Sequence, residues 1–236
     1  MTLAATVAPL AAYAVIFQTL LYLSLPVRLR TRLAPLITGL IGAVVALGAG
    51  YIFGFEKIGI RGGNVVQPLL WGGATVAVVS VIGLIMLSRD DLRSQLADPR
   101  LASLDRVDAV GQILIRIPIF TALIEEAVFR GVLHAALMAL YPAEVAIWLG
   151  AGLFGLWHIG PGVDQARAGD KTIRASAGHT ALTVIVTTAA GAFLVWLRIE
   201  TGSIWAPVAV HAAMNMTLAF FSRLAAQRRT QPVTVH

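Results

Sequence analysis

Seven stretches of this chain are almost wholly apolar, and they leave little choice of fold: roughly Leu3 to Leu25, Leu33 to Phe53, Leu69 to Leu87, Ile113 to Tyr141, Val145 to Ile159, Thr180 to Leu197 and Ile204 to Phe221. A helix needs about 20 apolar residues to cross a hydrocarbon core about 30 Å thick. Inside that core every backbone N–H and C=O must find its partner within the protein, which helices achieve locally. The short alternating pattern of an outer-membrane barrel is missing. Composition agrees: 58% of the 236 residues are hydrophobic and 13% are charged, against about 25% charged in an ordinary soluble domain. The expected fold class is all-α, a polytopic membrane helix bundle with about seven transmembrane helices, forming a single membrane domain over 1–236.

The basic residues orient this bundle. Arg28, Arg30 and Arg32 follow the first run, Arg89, Arg93, Arg100 and Arg106 the third, and Arg167, Lys171 and Arg174 the fifth, while Arg223, Arg228 and Arg229 lie in the tail. The alternate loops carry only Lys57, Arg61 and Arg198. A split of 13 against 3 places the N-terminus outside and the C-terminus in the cytoplasm. The net charge of +6 therefore reflects membrane orientation; the lipid bilayer is the expected partner and nucleic acid is not. The chain has no cysteine, which excludes disulfides, thiolate metal sites and a cysteine nucleophile. The first run lacks the basic start and cleavage site of a secretory signal and is read as a retained helix.

Two runs are unusual. The fourth is too long for one upright span and contains Pro118, so a kink or an interfacial segment is expected near Arg116 to Pro118. The fifth is short and carries Gly150, Gly152 and Gly155, whose missing side chains would let neighbouring backbones approach, as in an inner helix. Ser88 to Asp108 mixes both charge signs with scattered leucines and reads as a surface helix or a solvated loop.

Against this apolar background a few polar residues stand out. Glu125 and Glu126 lie inside the fourth run, where each ionised group costs about 2.5–3.5 kcal/mol on insertion scales. Helical spacing puts Glu126 and Arg130 on one face and turns Glu125 about 100° away. An ion pair would then hold Glu126 and Arg130, leaving Glu125 to face a cavity, water or a ligand; a network that only locks helices together is the alternative. His158 ends the fifth run, four residues after Phe154, and alone reads as an interfacial residue. His211 and Asn215 share a face of the last run; such a pair could equally serve a helix–helix bond worth about 0.6 kcal/mol. Three runs that each deliver an acid, imidazole or amide to the interior point to a common site. His134, one turn beyond Arg130, reads as a packing residue, and His179 and His236 do not look chemical. The tryptophans, Trp71, Trp148, Trp196 and Trp205 among them, read as interface belts.

The order Glu125-Glu126-Ala-Val-Phe-Arg130, Phe154-x-x-x-His158 and His211-x-x-x-Asn215 resembles the CAAX-processing and bacteriocin-processing intramembrane proteases, the CPBP or Abi family. The resemblance covers roughly 113–220, the expected catalytic core. It implies an endopeptidase cutting a membrane protein or peptide substrate in a cavity open to the membrane and cytoplasm. Glu125 and His158 would activate a water, His211 and Asn215 would stabilise the oxyanion, and Glu126 with Arg130 would orient the site. A preset donor pair stabilises an oxyanion directly, and a carboxylate positioned on a water can serve as general base. Glu125, Glu126, His158 and His211 also make a nitrogen and oxygen ligand set suited to zinc. His-Glu-x-x-His is absent, and members of the family are described both as metalloproteases and as metal-independent glutamate proteases. Metal-free chemistry is preferred and zinc stays open, with Glu125, His158 and His211 as the ligands it would use. A non-catalytic immunity or accessory subunit of the same family is the alternative function. A transporter with a buried acid pair is a third, less supported because no repeated half with broken helices is visible. The Arg-rich usage, with two lysines, suggests a bacterial cytoplasmic membrane.

Overall fold

A computed structural model describes residues 2–25, 27–168 and 172–230; Lys171 and His236 lie outside them. The described residues are helical throughout, with short turns and no strand. The first apolar stretch, α1, is a string of helical pieces: Leu3–Thr6, Val7–Ala12, Tyr13–Phe17 and Gln18–Ser24. Then come α2 (Val27–Phe53), α3 (Val66–Ser88), two short helices at Asp90–Leu96 and Pro99–Ala102, and α4, which runs through Arg106–Met138. The chain ends with α5 (Ala143–Trp157), α6 (Ile159–Ala168), α7 (Ile173–Thr201) and α8 (Trp205–Thr230).

Among the described residues six helical segments are long and apolar enough to cross a membrane: Leu36–Phe53, Val66–Ser88, Arg106–Met138, Ala143–Arg167, Arg174–Thr201 and Trp205–Arg228. The chain is an integral membrane protein built as a polytopic helix bundle. The seventh expected run is α1, whose broken winding keeps it out of this set. The arginines expected in a loop after α1 fall in the first turns of α2 instead, because that helix starts well before its apolar stretch. Ser88 to Asp108 folds into the two short polar helices and the start of α4.

The fourth run does not break at Pro118. Gln112–Leu123 and Ala127–Leu133 wind as wide π-type turns on either side of an α-helical Ile124–Glu126. Proline has no N–H to donate and its ring crowds the carbonyl four residues back in an α-helix; Pro118 is carried inside the wider winding without interrupting the helix. π-type turns rotate the side chains that follow relative to an α-helix, and here they flank both glutamates.

The helices pack as two connected layers around α4. α8 lies along α3 and along the first half of α4, α5 lies along α7, and α2 touches α4 on its remaining side. Gly155 sits at the α5–α7 contact, where an added Cβ would collide with Thr188 Oγ1 and come within 2.8 Å of the Val184 carbonyl. Gly191 answers it from α7, where an added Cβ would lie 3.2–3.3 Å from Phe154 and Ala151. Gly150 is less tightly placed, 3.6 Å from Leu137, and Gly152 has open space around it, so the expected close approach is made by Gly155 and Gly191. Between α2 and α3 the chain folds back and buries Ile58 against Val128, Phe129 and Leu133. Gly59, at φ 70°, turns this loop so that its carbonyl accepts from Ile204 N at 3.0 Å. The α7–α8 connection is thereby pinned over the end of α4.

Candidate functional site

The middle of α4 is the most deeply enclosed part of the bundle. Residues 126–134 are all buried, and Glu126 and Arg130 are 0% and 1% exposed. Removing one partner of a pair at such depth leaves an uncompensated charge, so the two must be held together. Arg130 Nη1 donates to Glu126 Oε1 at 3.0 Å. Its Nη2 donates to the Gly191 carbonyl at 3.2 Å, a reach opened by the absent side chain on α7. The guanidinium lies 4.0 Å over the Phe154 ring. Phe154 is therefore a platform for the cation, and it carries the site's imidazoles too: the His158 ring packs edge-on at 4.7 Å and the His211 ring at 6.0 Å.

From α8, His211 Nδ1 stands 2.7 Å from Glu126 Oε1, the oxygen already bound by Arg130. With the cation beside it Glu126 is an acceptor, so Nδ1 carries the hydrogen and Nε2 is directed the other way. Nε2 lies 4.0 Å from Glu125 Oε2. Glu125 is turned from its neighbour as helical spacing requires; Trp157 Nε1 donates to its Oε1 at 3.2 Å, and Oε2 is buried with no partner among the described residues. A cavity of about 10 Å³ lined by Tyr13, Thr38, Phe129, Trp157 and Glu125 reaches this carboxylate, room for about one water.

His158 caps α5. Its Nδ1 lies 2.8 Å from the Phe154 carbonyl; a carbonyl can only accept, so Nδ1 donates and Nε2 keeps its lone pair in the neutral ring. Glu125, His211 and Arg130 all lie within electrostatic reach of it. The structure thus brings Glu125, Glu126, Arg130, Phe154, His158 and His211 together. Asn215, one turn along α8 from His211, is partly buried and makes no hydrogen bond to the described residues. His134 is buried, with its Nδ1 unpartnered, and His179 Nε2 lies 3.4 Å from Gln165 on the other side of the bundle's α6–α7 corner.

Trp157 is the residue that sequence reasoning passed over. Read as one more belt tryptophan, it is 3% exposed and packs against Tyr13 at a tilt and Phe129 edge-on, with ring centroids 5.5 Å away in each case. The signal was its place directly before His158, inside the motif. Trp148 is exposed as a belt residue would be, whereas Trp71 packs edge-on to Phe193 and Trp196.

As arranged, these donors do not fit a zinc ion. Two ligands of a tetrahedral zinc at about 2.0–2.1 Å lie about 3.3 Å apart, closer than the 4.0 Å between Glu125 Oε2 and His211 Nε2. Glu126 Oε1 is already shared by Arg130 and His211. Among the described residues no three histidine, aspartate or glutamate side chains gather as a metal-holding group.

Residues 109–217 match the family model described as type II CAAX prenyl endopeptidase Rce1-like. This stretch holds all three motifs, and over it the chain is similar to the CAAX-processing protease family read from those motifs. The family is a protease family, and its members' setting implies a membrane-associated substrate. No curated protein and no solved structure matches the chain.

Proposed function

We propose that this protein is an intramembrane endopeptidase in which Glu125 is the general base and the other polar residues position it and complete the charge balance. The observation that carries this reading is the unpartnered, buried Oε2 of Glu125 facing His211 Nε2 across 4.0 Å. A water between the two, about 2.8 Å from each, spans that gap. Glu126 Oε2 is likewise buried without a partner among the described residues, but its carboxylate is already held by Arg130 and His211, whereas Glu125 borders the water-sized cavity.

Charge balance supports the roles. Glu125 and Glu126 offset Arg130 and a doubly protonated His211, so the cluster is neutral, as a low-dielectric interior favours. His211 then presents Nε2–H. In the reaction Glu125 takes a proton from the water while the water oxygen bonds to the scissile carbonyl carbon. The oxyanion formed accepts from His211 Nε2–H and from the Asn215 amide, a stabilisation worth about 2.7–4 kcal/mol per donor in other acyl-transfer sites. His158 Nε2 accepts the second hydrogen of the water and holds it in line. When the carbon–nitrogen bond breaks, protonated Glu125 gives its proton to the leaving amine, which restores the carboxylate. No step uses a metal. Basic-residue distribution supports a cytoplasmic C-terminus, and with it a substrate cut near the cytoplasmic face of a bacterial membrane.

The test compares membranes of cells carrying the intact protein with those carrying Glu125→Gln. Uncleaved precursors should accumulate with the variant while the protein level stays the same. Purified enzyme should keep full activity after chelation. A Glu125→Gln enzyme that still cleaves overturns the reading, and activity that depends on restored zinc overturns its metal-free form.

A further inference from the structure

Away from the site, the outer side of the α6–α7 corner holds an open groove of about 550 Å³ lined by Ile159, Val163, Ala177, Ala181, Val184 and Ile185. Its surface is almost entirely apolar, and Thr180 on its wall turns its hydroxyl back to the Ser176 carbonyl at 2.9 Å. Open to the side in a membrane protein, such an apolar surface suits an apolar chain. The charges at its mouth say which kind.

α6 and α7 run antiparallel and meet near one end of the groove. On α6, Arg167 follows Val163 by four residues, and on α7, Arg174 precedes Ala177 and Ala181 by three and seven; both arginines therefore lie on the groove-lining faces of their helices. They also mark the edge of the membrane, because one apolar span ends at Arg167 and the next begins at Arg174. Both are exposed, and neither forms an ion pair among the described residues. The acid of α6, Asp164, points elsewhere and is engaged by Arg100 at 3.0 Å. The apolar groove thus ends towards two exposed guanidiniums that have no ion pair among the described residues.

We infer that this groove is a binding site for one anionic phospholipid, its acyl chain lying along Ala181 and Ile185 and its phosphate held between Arg167 and Arg174. Guanidinium forks match phosphate oxygens in geometry and charge, and basic pockets between helices on the cytoplasmic side are where anionic headgroups bind. The groove starts at Ile159, next to His158, so the lipid would form part of the wall beside the site. The inference does not depend on peptidase activity.

Native mass spectrometry of the full chain, released from micelles containing equal phosphatidylglycerol and phosphatidylcholine, tests it. The intact protein should carry one phosphatidylglycerol in preference to phosphatidylcholine. Arg167→Gln with Arg174→Gln should weaken that binding about 30-fold, the loss expected for two basic contacts to an anionic headgroup. Ala181→Trp, at an exposed position that a larger side chain can occupy without disturbing the core, should displace the lipid with both arginines in place. Arg89→Gln, an arginine far from the groove, should change nothing. Equal binding of the two lipids by the intact protein, or a phosphatidylglycerol preference that survives both groove variants, overturns the inference. A crosslink from residue 181 to substrate peptide in place of lipid overturns it as well. Because the readout is bound lipid, its failure is separate from any failure of the protease reading.

Discussion

His211 Nδ1 and Glu126 Oε1 are 2.7 Å apart across the α4–α8 interface, and Arg130 binds the same carboxylate oxygen from one turn below. One oxygen thus joins two helices and sets the direction in which His211 presents Nε2. The two adjacent glutamates are thereby made unequal: Glu126 is held by a guanidinium and an imidazole, and Glu125 by one indole N–H.

That inequality predicts opposite phenotypes. Glu126→Ala leaves Arg130 buried without its counter-ion and should destabilise the protein by about 3–5 kcal/mol, seen as a large drop in melting temperature in detergent. Glu125→Gln keeps the shape of a side chain whose protein partner is a single indole N–H. It should unfold close to the intact protein and lack cleavage activity. Equal loss of stability in the two variants would contradict the division of roles.

Trp157→Phe isolates the contact that orients Glu125. It keeps an aromatic ring between Tyr13 and Phe129 and removes the N–H that holds Oε1. A hydrogen bond to a charged group contributes about 1.5–3 kcal/mol to stability, so melting should drop modestly, and kcat/KM measured where the variant is fully folded should fall roughly 10- to 100-fold.

Most of the architecture is legible in hydropathy, because a helix that must satisfy its backbone in lipid has to be long and apolar. The Glu126–Arg130 pair is legible too, since a spacing of four places both on one face. What could not be read is whatever depends on winding or on neighbours. α1 is apolar enough to pass for a span, and only its broken path distinguishes it. Pro118 signals an irregularity in α4, and only the structure gives its form, wide turns in a helix that stays continuous. The spacing between residues of one helix does not show that His211 reaches across to Glu126, or that Trp157 faces inward while Trp148 faces out.

Gly155 is predicted to be intolerant of any side chain. A methyl group there meets Thr188 Oγ1 and lies 2.8 Å from the Val184 carbonyl, and backbone cannot move aside cheaply. Gly155→Ala should cost about 1–3 kcal/mol and push α5 from α7, which displaces Phe154 and His158 together. Adding Thr188→Ala should recover only part of the melting temperature and of the activity, because the carbonyl clash remains.

The absence of cysteine makes the membrane orientation directly measurable. A single cysteine placed at Lys57 should react with an impermeant maleimide added to intact cells. One placed at Ser103 should react only after the membrane is opened. The reverse pattern would invert the proposed topology.

A clamp centred on Arg100 holds the spacing of the two imidazole-bearing elements. Arg100 Nη2 lies 2.8 Å from Asp98 and its Nη1 lies 3.0 Å from Asp164. Asp164 is on α6, directly after His158. The Asp98 backbone N–H donates to Ser222 Oγ on α8 at 2.9 Å, and the adjacent Arg223 donates to the carbonyls of Leu101 and Leu104 at 2.7 and 2.8 Å. Burial disfavours the charge on Arg100, but Asp98 and Asp164 more than offset it and raise its pKa, so the clamp is charged at every ordinary pH. It ties α6, and with it His158, to the helix that carries His211 and Asn215. Arg100→Gln leaves the nearly buried Asp164 without its cation and should cost about 1–3 kcal/mol. If the clamp also sets the site, kcat should fall while KM stays near its original value, and Arg100→Lys, which restores the charge, should recover part of kcat. Kinetics of the two variants at a temperature where both remain folded decide the point: an unchanged kcat would make the clamp a stabiliser alone.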